Sequence, residues 1–472
     1  MLKKGRLLSN AAFLGVGTAI SKLTVFFLMP LYTAQLSPAD FGTVDILVNT
    51  AVLLIPLTSL GAPEAVFRFV AGGSDERAVV AVGHKMLSVG FVLLLCLLPL
   101  LWFFDLLRPF VLYLYLYVVA SVLRSYFSHI LRARGRYGLH AVQQTFCTFL
   151  TVVLAILFLR ELRLGVTGYL LAVLLADGIT AAILGAYLRA DRQAAEAERP
   201  AALHRTMLRY AIPLIPTATL WWALAVSDRY ILLHFYGGAA NGIYAAAGKL
   251  PALISFAANL FLEAWHFSAI REKEENRGRL FERIYCALLP LLILSVASLI
   301  LLSRPLVERI FAADFADAAL FVPFLAISAL FSALSSFLGS VYVVKLRSGA
   351  SLLTALVGVA VNLTLDLLLI PAQGAMGAVA ATFFSYVVVF LWRAAHCRRV
   401  MPFGLRFGKL SLSTVLLFVT VAVTVRGLPW LGIPMALFSV MPFWREMREA
   451  TALFLSYMKK ILRISTKKQD LS

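Results

Sequence analysis

The sequence predicts an all-α integral membrane protein with about fourteen transmembrane helices. Of its 472 residues, 61% are hydrophobic and only 14% are charged. Soluble domains are roughly 45–50% apolar and about 25% charged, so this composition is not that of a soluble protein. Apolar runs of about 20 residues, the length that a helix needs to cross a bilayer, recur from one end of the chain to the other. No polar stretch is long enough to fold as a separate soluble domain.

Short polar loops separate the predicted spans. The spans cover residues 7–34, 41–63, 86–104, 109–131, 139–159, 165–188, 210–235, 241–266, 284–302, 318–344, 350–370, 375–395, 410–425 and 429–444. The last of them contains Pro434 and Pro442. Because proline interrupts the helical hydrogen-bond ladder, this segment either crosses the membrane or forms a re-entrant or interfacial piece.

The loops divide the chain into five parts. We predict an N lobe of six spans (1–190), a cytoplasmic linker (191–209), a C lobe of six spans (210–396), two additional hydrophobic segments (397–444) and a basic amphipathic cytoplasmic tail (445–472).

The placement of Lys and Arg predicts the orientation of the spans. With the N-terminus inside, few basic residues fall in outer loops, namely Arg108, Arg160, Arg163, Arg304, Arg309 and Arg426. Inner loops and tails carry most of the others, which is the bias expected of cytoplasmic segments. Both termini are therefore predicted to be cytoplasmic. The net charge of +19 is a signal of topology, and we predict no nucleic-acid partner.

The second half of the chain repeats the first. Residues 36–67 resemble residues 236–267, and Gly42 falls on Gly242. Each copy holds six spans, an even number, so the copies run parallel, as in one class of secondary transporter. Later matching segments are RARG (132–135) with KLRSG (345–349) and LGVTGYLL (164–171) with QGAMGAVA (373–380).

Charged and polar residues within the spans are the candidate site. Lipid offers them no partners, so we expect them to face a central cavity between the lobes. Arg grips phosphate through paired N–H donors and Lys acts as a point charge, so a set of cations favours an anionic substrate such as a diphosphate. The cationic candidates are Lys22, Arg124, Arg229 and Lys249. The polar or ion-coupling candidates are Asn49, Asp177, Asp228 and Asp366.

Internal ion pairing is the alternative role for these charges. Asp45 or Asp228 would pair with Arg229, since buried charges of opposite sign commonly pair. By the same argument, Asp177 would pair with either Arg124 or Lys22. The sequence leaves both roles open.

The sequence does not match the motifs of common enzymes and metal sites. The GxGxxG pattern that starts at Gly15 has Ile20 in place of its third glycine, and the four cysteines lack metal-ligand spacing. We predict no catalytic residue, no metal and no cofactor. A membrane glycosyltransferase or polymerase is the rival class, but the longest outer loop, residues 303–317, is too short for a catalytic domain.

Several segments carry a family resemblance. SDRYIL (227–232), GIYAAAGKL (242–250) and EAW (263–265) look like the C-terminal half of bacterial polysaccharide repeat-unit flippases of the Wzx type. LSPADFGTVDIL (36–47), after MPLYTAQ (29–35), resembles their N-terminal start. These flippases belong to the multidrug/oligosaccharidyl-lipid/polysaccharide exporter superfamily. The resemblance covers both lobes.

The resemblance implies two six-helix lobes in a V shape around a central cavity, with two added helices. It implies a flippase that moves an undecaprenyl-diphosphate-linked oligosaccharide from the inner to the outer leaflet of the bacterial cytoplasmic membrane, by alternating access. Its implied partners are this lipid-linked substrate, membrane lipids, a coupling ion (proton or sodium) and other proteins of polysaccharide biosynthesis. Lipid II flippases and multidrug/cation antiporters of the same superfamily are the alternatives.

Overall fold

The structure is a computed structural model that describes Thr24 and residues 26–190, 201–345 and 347–448. Within these residues the regular structure is helical and no strand occurs. Eleven of the described helices are long and apolar enough to cross a membrane. The predicted all-α membrane fold class is therefore confirmed. Lys22 and most of the predicted tail (445–472) lie outside the described residues.

We number the α-helices in chain order. They are α1 (Met29–Gln35), α2 (Pro38–Ser59), α3 (Ala62–Ala71), α4 (Glu76–Trp102), α5 (Val111–Ala133), α6 (Tyr137–Ala155), α7 (Gly165–Ala190), α8 (Ala201–Ala211), α9 (Leu214–Arg271), α10 (Glu274–Ile310), α11 (Ala318–Val344), α12 (Ser348–Gln373), α13 (Ala375–Val400), α14 (Phe407–Val425) and α15 (Pro429–Val440).

The described residues form two compact units. The first contains those of Met1–Ala246 together with Arg309–Ala316 and Asn362–Ala378. The second contains those of Ala247–Glu308, Asp317–Val361 and Val379–Ser472. The lobe boundaries inferred from the sequence remain predictions.

Local sequence explains where α2 begins and ends. Ser37 is its N-cap, and the Ser37 hydroxyl oxygen accepts the backbone N–H of Asp40 at 3.1 Å. Pro38 follows at the first helical position, where its missing N–H costs nothing. Leu60 and Gly61 then adopt left-handed backbone conformations, with φ values of 49° and 67°, and α3 starts after them. This turn fixes where α2 stops.

Helix α9 is longer than one membrane crossing. Its 58 residues would extend about 87 Å as a straight helix, against a hydrocarbon core of about 30 Å. The backbone breaks at Gly237, where φ is 79° and ψ is −178°. The sequence predicts a turn over residues 236–242, but the break is confined to this one glycine, and helix resumes directly after it.

Helix α15 (Pro429–Val440) is short by itself, with 12 residues that extend about 18 Å. A 3-10 turn (Met441–Phe443) follows it directly, and residues 444–448 are again helical. Whether residues 429–444 cross the membrane or form a re-entrant or interfacial segment therefore stays a prediction.

Two short helices lie beside the first unit's core, and the sequence analysis did not predict either as a helix. Helix α3 packs Ala62, Ala65 and Val66 into the core, and α8 contributes Met207 and Ala211. Their polar residues lie on the opposite faces, which is the pattern of helices at a membrane surface. Amphipathic helices of 10 and 11 residues carry too little hydrophobic length to register as spans.

Each unit has its own apolar core. In the first unit, α2 and α4 cross so closely that a Cβ on Gly90 would lie 1.6 Å from the Thr58 carbonyl oxygen. Such crossings suit membrane helices, whose association depends on close packing by small residues. In the second unit the core is aromatic at one end, where Trp265 stacks on Phe337 at 5.7 Å and meets Phe281 edge-on at 4.8 Å.

Candidate functional site

Arg229 and Asp45 form a buried ion pair in the first unit. The Arg229 Nη1 atom lies 2.7 Å from Oδ1 and 2.6 Å from Oδ2 of Asp45. Asp45 is on α2 and Arg229 on α9, so the pair joins a helix of the first repeat to a helix of the second. Of the two acids that the sequence offers for Arg229, Asp45 is confirmed as the ion-pair partner.

Asn49 supports this pair from one turn further along α2. Its side-chain amide donates to the Asp45 carbonyl oxygen at 2.8 Å and to Asp45 Oδ2 at 3.0 Å. The carbonyl oxygen of Asn49 accepts the indole N–H of Trp222 at 2.8 Å. Asn49 thereby fixes the orientation of the carboxylate and ties α2 to α9.

Asp228 is next to Arg229 but has different partners. Its carboxylate accepts the hydroxyl of Tyr244 and, at 2.9 Å, the backbone N–H of Arg229. Consecutive helical residues point about 100° apart. Asp228 therefore belongs to a different face of α9 from the Arg229 side chain.

Asp366 lies in a third polar cluster of the first unit. Ser227 donates to Oδ1 of Asn362 at 2.9 Å and approaches Oδ2 of Asp366 at 3.4 Å. Asp366 is 0% exposed, and its Oδ1 atom has no hydrogen bond. In the part of the chain that the structure describes, no Lys or Arg forms an ion pair with it. The Nδ2 atom of Asn362 is also buried without an acceptor.

Arg124 and Asp177 form the second buried ion pair. Arg124 Nε on α5 lies 2.7 Å from Asp177 Oδ1 on α7. Ser121 donates to the other carboxylate oxygen, and the Cys147 thiol approaches Oδ1 at 3.3 Å. The guanidinium also approaches Gln144 Oε1 at 3.4 Å. Of the two basic candidates for Asp177, Arg124 is confirmed as a partner.

Both pairs expose the cation more than the anion. The side chain of Arg124 is 22% exposed against 11% for Asp177, and that of Arg229 is 18% exposed against 4% for Asp45. Each buried carboxylate offsets the cost of holding a guanidinium among apolar helices. Each arginine side chain therefore keeps part of its surface exposed, although its Nε atom is buried.

The candidate residues named from sequence fall in different parts of the molecule. Lys249 belongs to the second unit, where it is half-buried, and Lys22 lies outside the described residues. The candidates in the first unit are Asn49, Arg124, Asp177, Asp228, Arg229 and Asp366.

The sequence analysis missed the neutral members of these clusters. Ser121, Tyr244 and Asn362 carry no charge, so nothing marks them among the other polar residues of the spans. One signal was available, because Asn362 and Asp366 are four residues apart and so lie on the same face of a helix.

Comparison with known proteins gives one family. The model of the family described as "Polysaccharide biosynthesis protein" matches residues 7–266, more than half of the chain. An uncharacterized membrane protein of Methanocaldococcus jannaschii is 26% identical over 373 residues, which cover 74% of this chain and 88% of that protein.

Solved structures share the fold. The lipid II flippase MurJ in an inward closed conformation has a TM-score of 0.74 at 15% identity, covering 91% of this chain and 97% of its own. An inward-facing multidrug resistance MATE transporter of the MOP superfamily has a TM-score of 0.64 at 14% identity. The match covers 82% of this chain and 98% of the transporter. At these identities the similarity concerns the fold alone.

Proposed function

The chain belongs to the polysaccharide biosynthesis protein family, and we propose that it moves undecaprenyl-diphosphate-linked oligosaccharide repeat units from the inner to the outer leaflet. Its family and fold point to a flippase-like transporter of the MOP superfamily and away from an enzyme. We place it in a bacterial cytoplasmic membrane with both termini in the cytoplasm, on the Lys and Arg bias of its loops. The family match over residues 7–266 carries the proposal, because that range holds both buried ion pairs.

The arginines of these pairs are suited to an anionic head group. A diphosphate oxygen engages guanidinium N–H donors in charge-assisted hydrogen bonds. When the substrate leaves, Asp177 and Asp45 still balance Arg124 and Arg229, so the empty site holds no uncompensated cation. We assign Lys22 and Lys249 as additional cations of the path.

We assign coupling to Asp366 first, with Asp228 as a second candidate. In the part of the chain that the structure describes, Asp366 forms no ion pair with Lys or Arg, and a buried carboxyl in that situation is stable only when it is protonated or holds a cation. The unpaired Oδ1 atom of Asp366 and the adjacent Asn362 amide support this role. The coupling ion is a proton or sodium, and its binding would favour one conformation of the carrier over the other.

Lipid II is the second candidate substrate. The fold similarity to the lipid II flippase, with a TM-score of 0.74, favours it. Both substrates are undecaprenyl-diphosphate-linked sugars, so the same arginines would serve either one. Cationic drugs, as carried by multidrug antiporters, are disfavoured because the basic side chain of each pair is more exposed than the acidic one.

The test is transport by the purified protein in proteoliposomes. Fluorescent lipid-linked oligosaccharide, lipid II and a cationic dye are supplied separately, and appearance of each in the opposite leaflet is followed over time. We expect movement of the lipid-linked oligosaccharide and its loss in Arg124→Gln, Arg229→Gln, Lys22→Ala and Lys249→Ala. Arg304→Gln is the matched control, since Arg304 is exposed and its ion-pair partner among the described residues is Glu308 on the same helix.

The outcomes separate the candidates. Movement of lipid II alone would establish the second candidate. Movement of the dye alone, or of none of the three, would overturn the proposed function.

A further inference from the structure

The tight turn at residues 132–138 holds three arginines with different surroundings. Arg134 pairs with Glu76, its Nη2 atom 2.5 Å from Oε1. Arg136 donates to the Tyr187 hydroxyl and lies over the Tyr187 ring. Arg132 has no carboxylate partner among the described residues.

Arg132 is instead held against an aromatic ring. Its guanidinium carbon lies 5.0 Å from the centre of the Phe67 ring on α3. Its Nε atom is buried and has no hydrogen-bond acceptor. A buried charged donor without an acceptor needs an explanation, and an anion bound at the same guanidinium is one. Stacking on the ring also fixes the plane of the guanidinium, which leaves its donors oriented for a ligand.

His129 contacts the same ring. Its ring meets Phe67 edge-on, with centroids 6.4 Å apart. Its Nδ1–H donates to the Ser125 carbonyl oxygen at 2.8 Å, which fixes the imidazole beside Phe67 and leaves Nε2 free of this bond. Glu64, exposed on α3, is the acid that interacts with the charge of His129.

The corresponding turn of the second repeat lacks this arrangement. In the sequence, RARG (132–135) corresponds to KLRSG (345–349), which holds Lys345 and Arg347. Lys345 pairs with Glu274 in the second unit, and Arg347 is exposed. In the part of the chain that the structure describes, neither of these cations lies over an aromatic ring as Arg132 does.

We propose that Arg132, Phe67 and His129 form a receiving site for the diphosphate of the lipid-linked substrate at the inner end of α5, a proposal that rests on the proposed function. A diphosphate offers several oxygens to the guanidinium, which donates to phosphate in a bidentate way. The site lies where a substrate made on the cytoplasmic side enters, given the orientation predicted from the loops.

Helix α5 also connects this site to Arg124. The two arginines are eight residues apart, about 12 Å along the helix axis. Ser128 lies midway and is hydrogen-bonded to His140 at 2.8 Å and to Gln143 at 2.9 Å. These three side chains are buried and hydrogen-bonded to one another, so they hold α5 against α6 between the two arginines.

The experiment measures diphosphate binding without transport. Purified protein in neutral-lipid nanodiscs is titrated with undecaprenyl diphosphate, undecaprenyl monophosphate, inorganic diphosphate and phosphatidylglycerol. We expect undecaprenyl diphosphate to bind and Arg132→Gln to weaken it about tenfold or more, with Arg132→Lys in between, since Lys lacks the planar fork. Arg136→Gln is the matched control from the same turn and keeps wild-type affinity.

Other outcomes overturn the proposal. These are equal affinity of Arg132→Gln and wild type, equal weakening by Arg136→Gln, equally tight binding of phosphatidylglycerol, or no binding by the wild type. Thermal unfolding of the same nanodiscs checks that each variant is folded, and a variant that does not fold is replaced by Phe67→Leu, which removes the ring alone.

Transport then distinguishes this proposal from the proposed function. Flipping by Arg132→Gln with wild-type KM and kcat refutes the receiving site and leaves the flippase intact. Arg132-dependent binding with no flipping of any sugar-bearing lipid refutes the flippase and leaves the receiving site intact.

Discussion

Gly42 and Gly242, which match each other in the two repeats, lie in direct backbone contact. A Cβ atom on Gly242 would lie 3.0 Å from the Gly42 nitrogen and 1.8 Å from the Pro38 carbonyl oxygen. The side-chain amide of Asn241 donates to the Gly42 carbonyl at 3.1 Å. Any Cβ here would overlap main-chain atoms, so glycine at both positions is what lets these helices approach so closely.

Substitution of Gly42 should therefore disturb this crossing. A Cβ on Gly42 would lie 2.1 Å from the Gly238 carbonyl oxygen, and forcing extra volume into a packed contact costs about 1–3 kcal/mol. We expect Gly42→Ala to lower the unfolding free energy in detergent by that amount. Gly138→Ala is the control, because a Cβ there meets nothing within 4 Å, and we expect no loss. Equal unfolding free energies for Gly42→Ala and wild type would contradict the close crossing.

Much of this arrangement could be predicted from the sequence, and the limits are physical. The repeat pairs Gly42 with Gly242 because loops and spans match in the same order, and the hydropathy pattern gives the spans. The pattern does not show that these two glycines touch, because contact depends on how helices cross in three dimensions.

The candidate site shows the same limit. Charge complementarity predicted that Arg229 pairs with an acid but left Asp45 and Asp228 open, because the sequence does not give the distance between α2 and α9. The structure places both carboxylate oxygens of Asp45 within 2.7 Å of Arg229 Nη1. Asp366 could be identified as a buried acid, whereas its neutral neighbour Ser227 gave no signal and Asn362 gave only its spacing of four residues from Asp366.

Breaking the Asp45–Arg229 pair should be costly. Removing one member of a buried ion pair leaves the other charge uncompensated, which costs about 3–5 kcal/mol. We expect Asp45→Asn to lower the unfolding free energy in this range, and Asp45→Asn combined with Arg229→Gln to recover part of the loss. The exposed pair Arg304–Glu308 is the control, and its removal should cost about 0–1 kcal/mol. A double-mutant cycle measures the coupling, and a value near zero would refute the pair.

Substitution of Asp366, unlike that of Asp45, should change the unfolding free energy little. It has no basic partner among the described residues, so Asp366→Asn keeps its shape and leaves no cation unbalanced. We expect a change in unfolding free energy of less than about 1 kcal/mol. If the carboxyl couples transport to an ion, the same variant loses the dependence of flipping on a proton or sodium gradient imposed across proteoliposomes. Asp314→Asn, at an exposed loop position, should retain that dependence.

Strong destabilisation by Asp366→Asn would show that the acid has a structural partner. Full gradient dependence in that variant would instead remove Asp366 from the coupling role. The two measurements are independent, so either result is informative by itself.

In the second unit, Arg393 should be essential to packing. It is 2% exposed, donates from Nε and Nη2 to Thr354 Oγ1 at 3.0 and 2.9 Å, and donates from Nη1 to the Ser335 carbonyl at 2.8 Å. It thereby joins α11, α12 and α13. Gly339 leaves room for it, because a Cβ there would lie 2.7 Å from Nη1.

We expect Thr354→Val to cost about 1–3 kcal/mol, because it keeps the volume of the side chain but leaves buried donors of Arg393 without an acceptor. Gly339→Ala should destabilise as well, by displacing the guanidinium. Arg398→Met is the control for loss of a cation at the same end of α13, since Arg398 is exposed and lies over the Phe407 ring at 4.7 Å. Thermal unfolding in one detergent ranks the stability of the variants. If Arg398→Met lost as much stability as Thr354→Val, the hydrogen bonds of Arg393 would not be what holds these helices together.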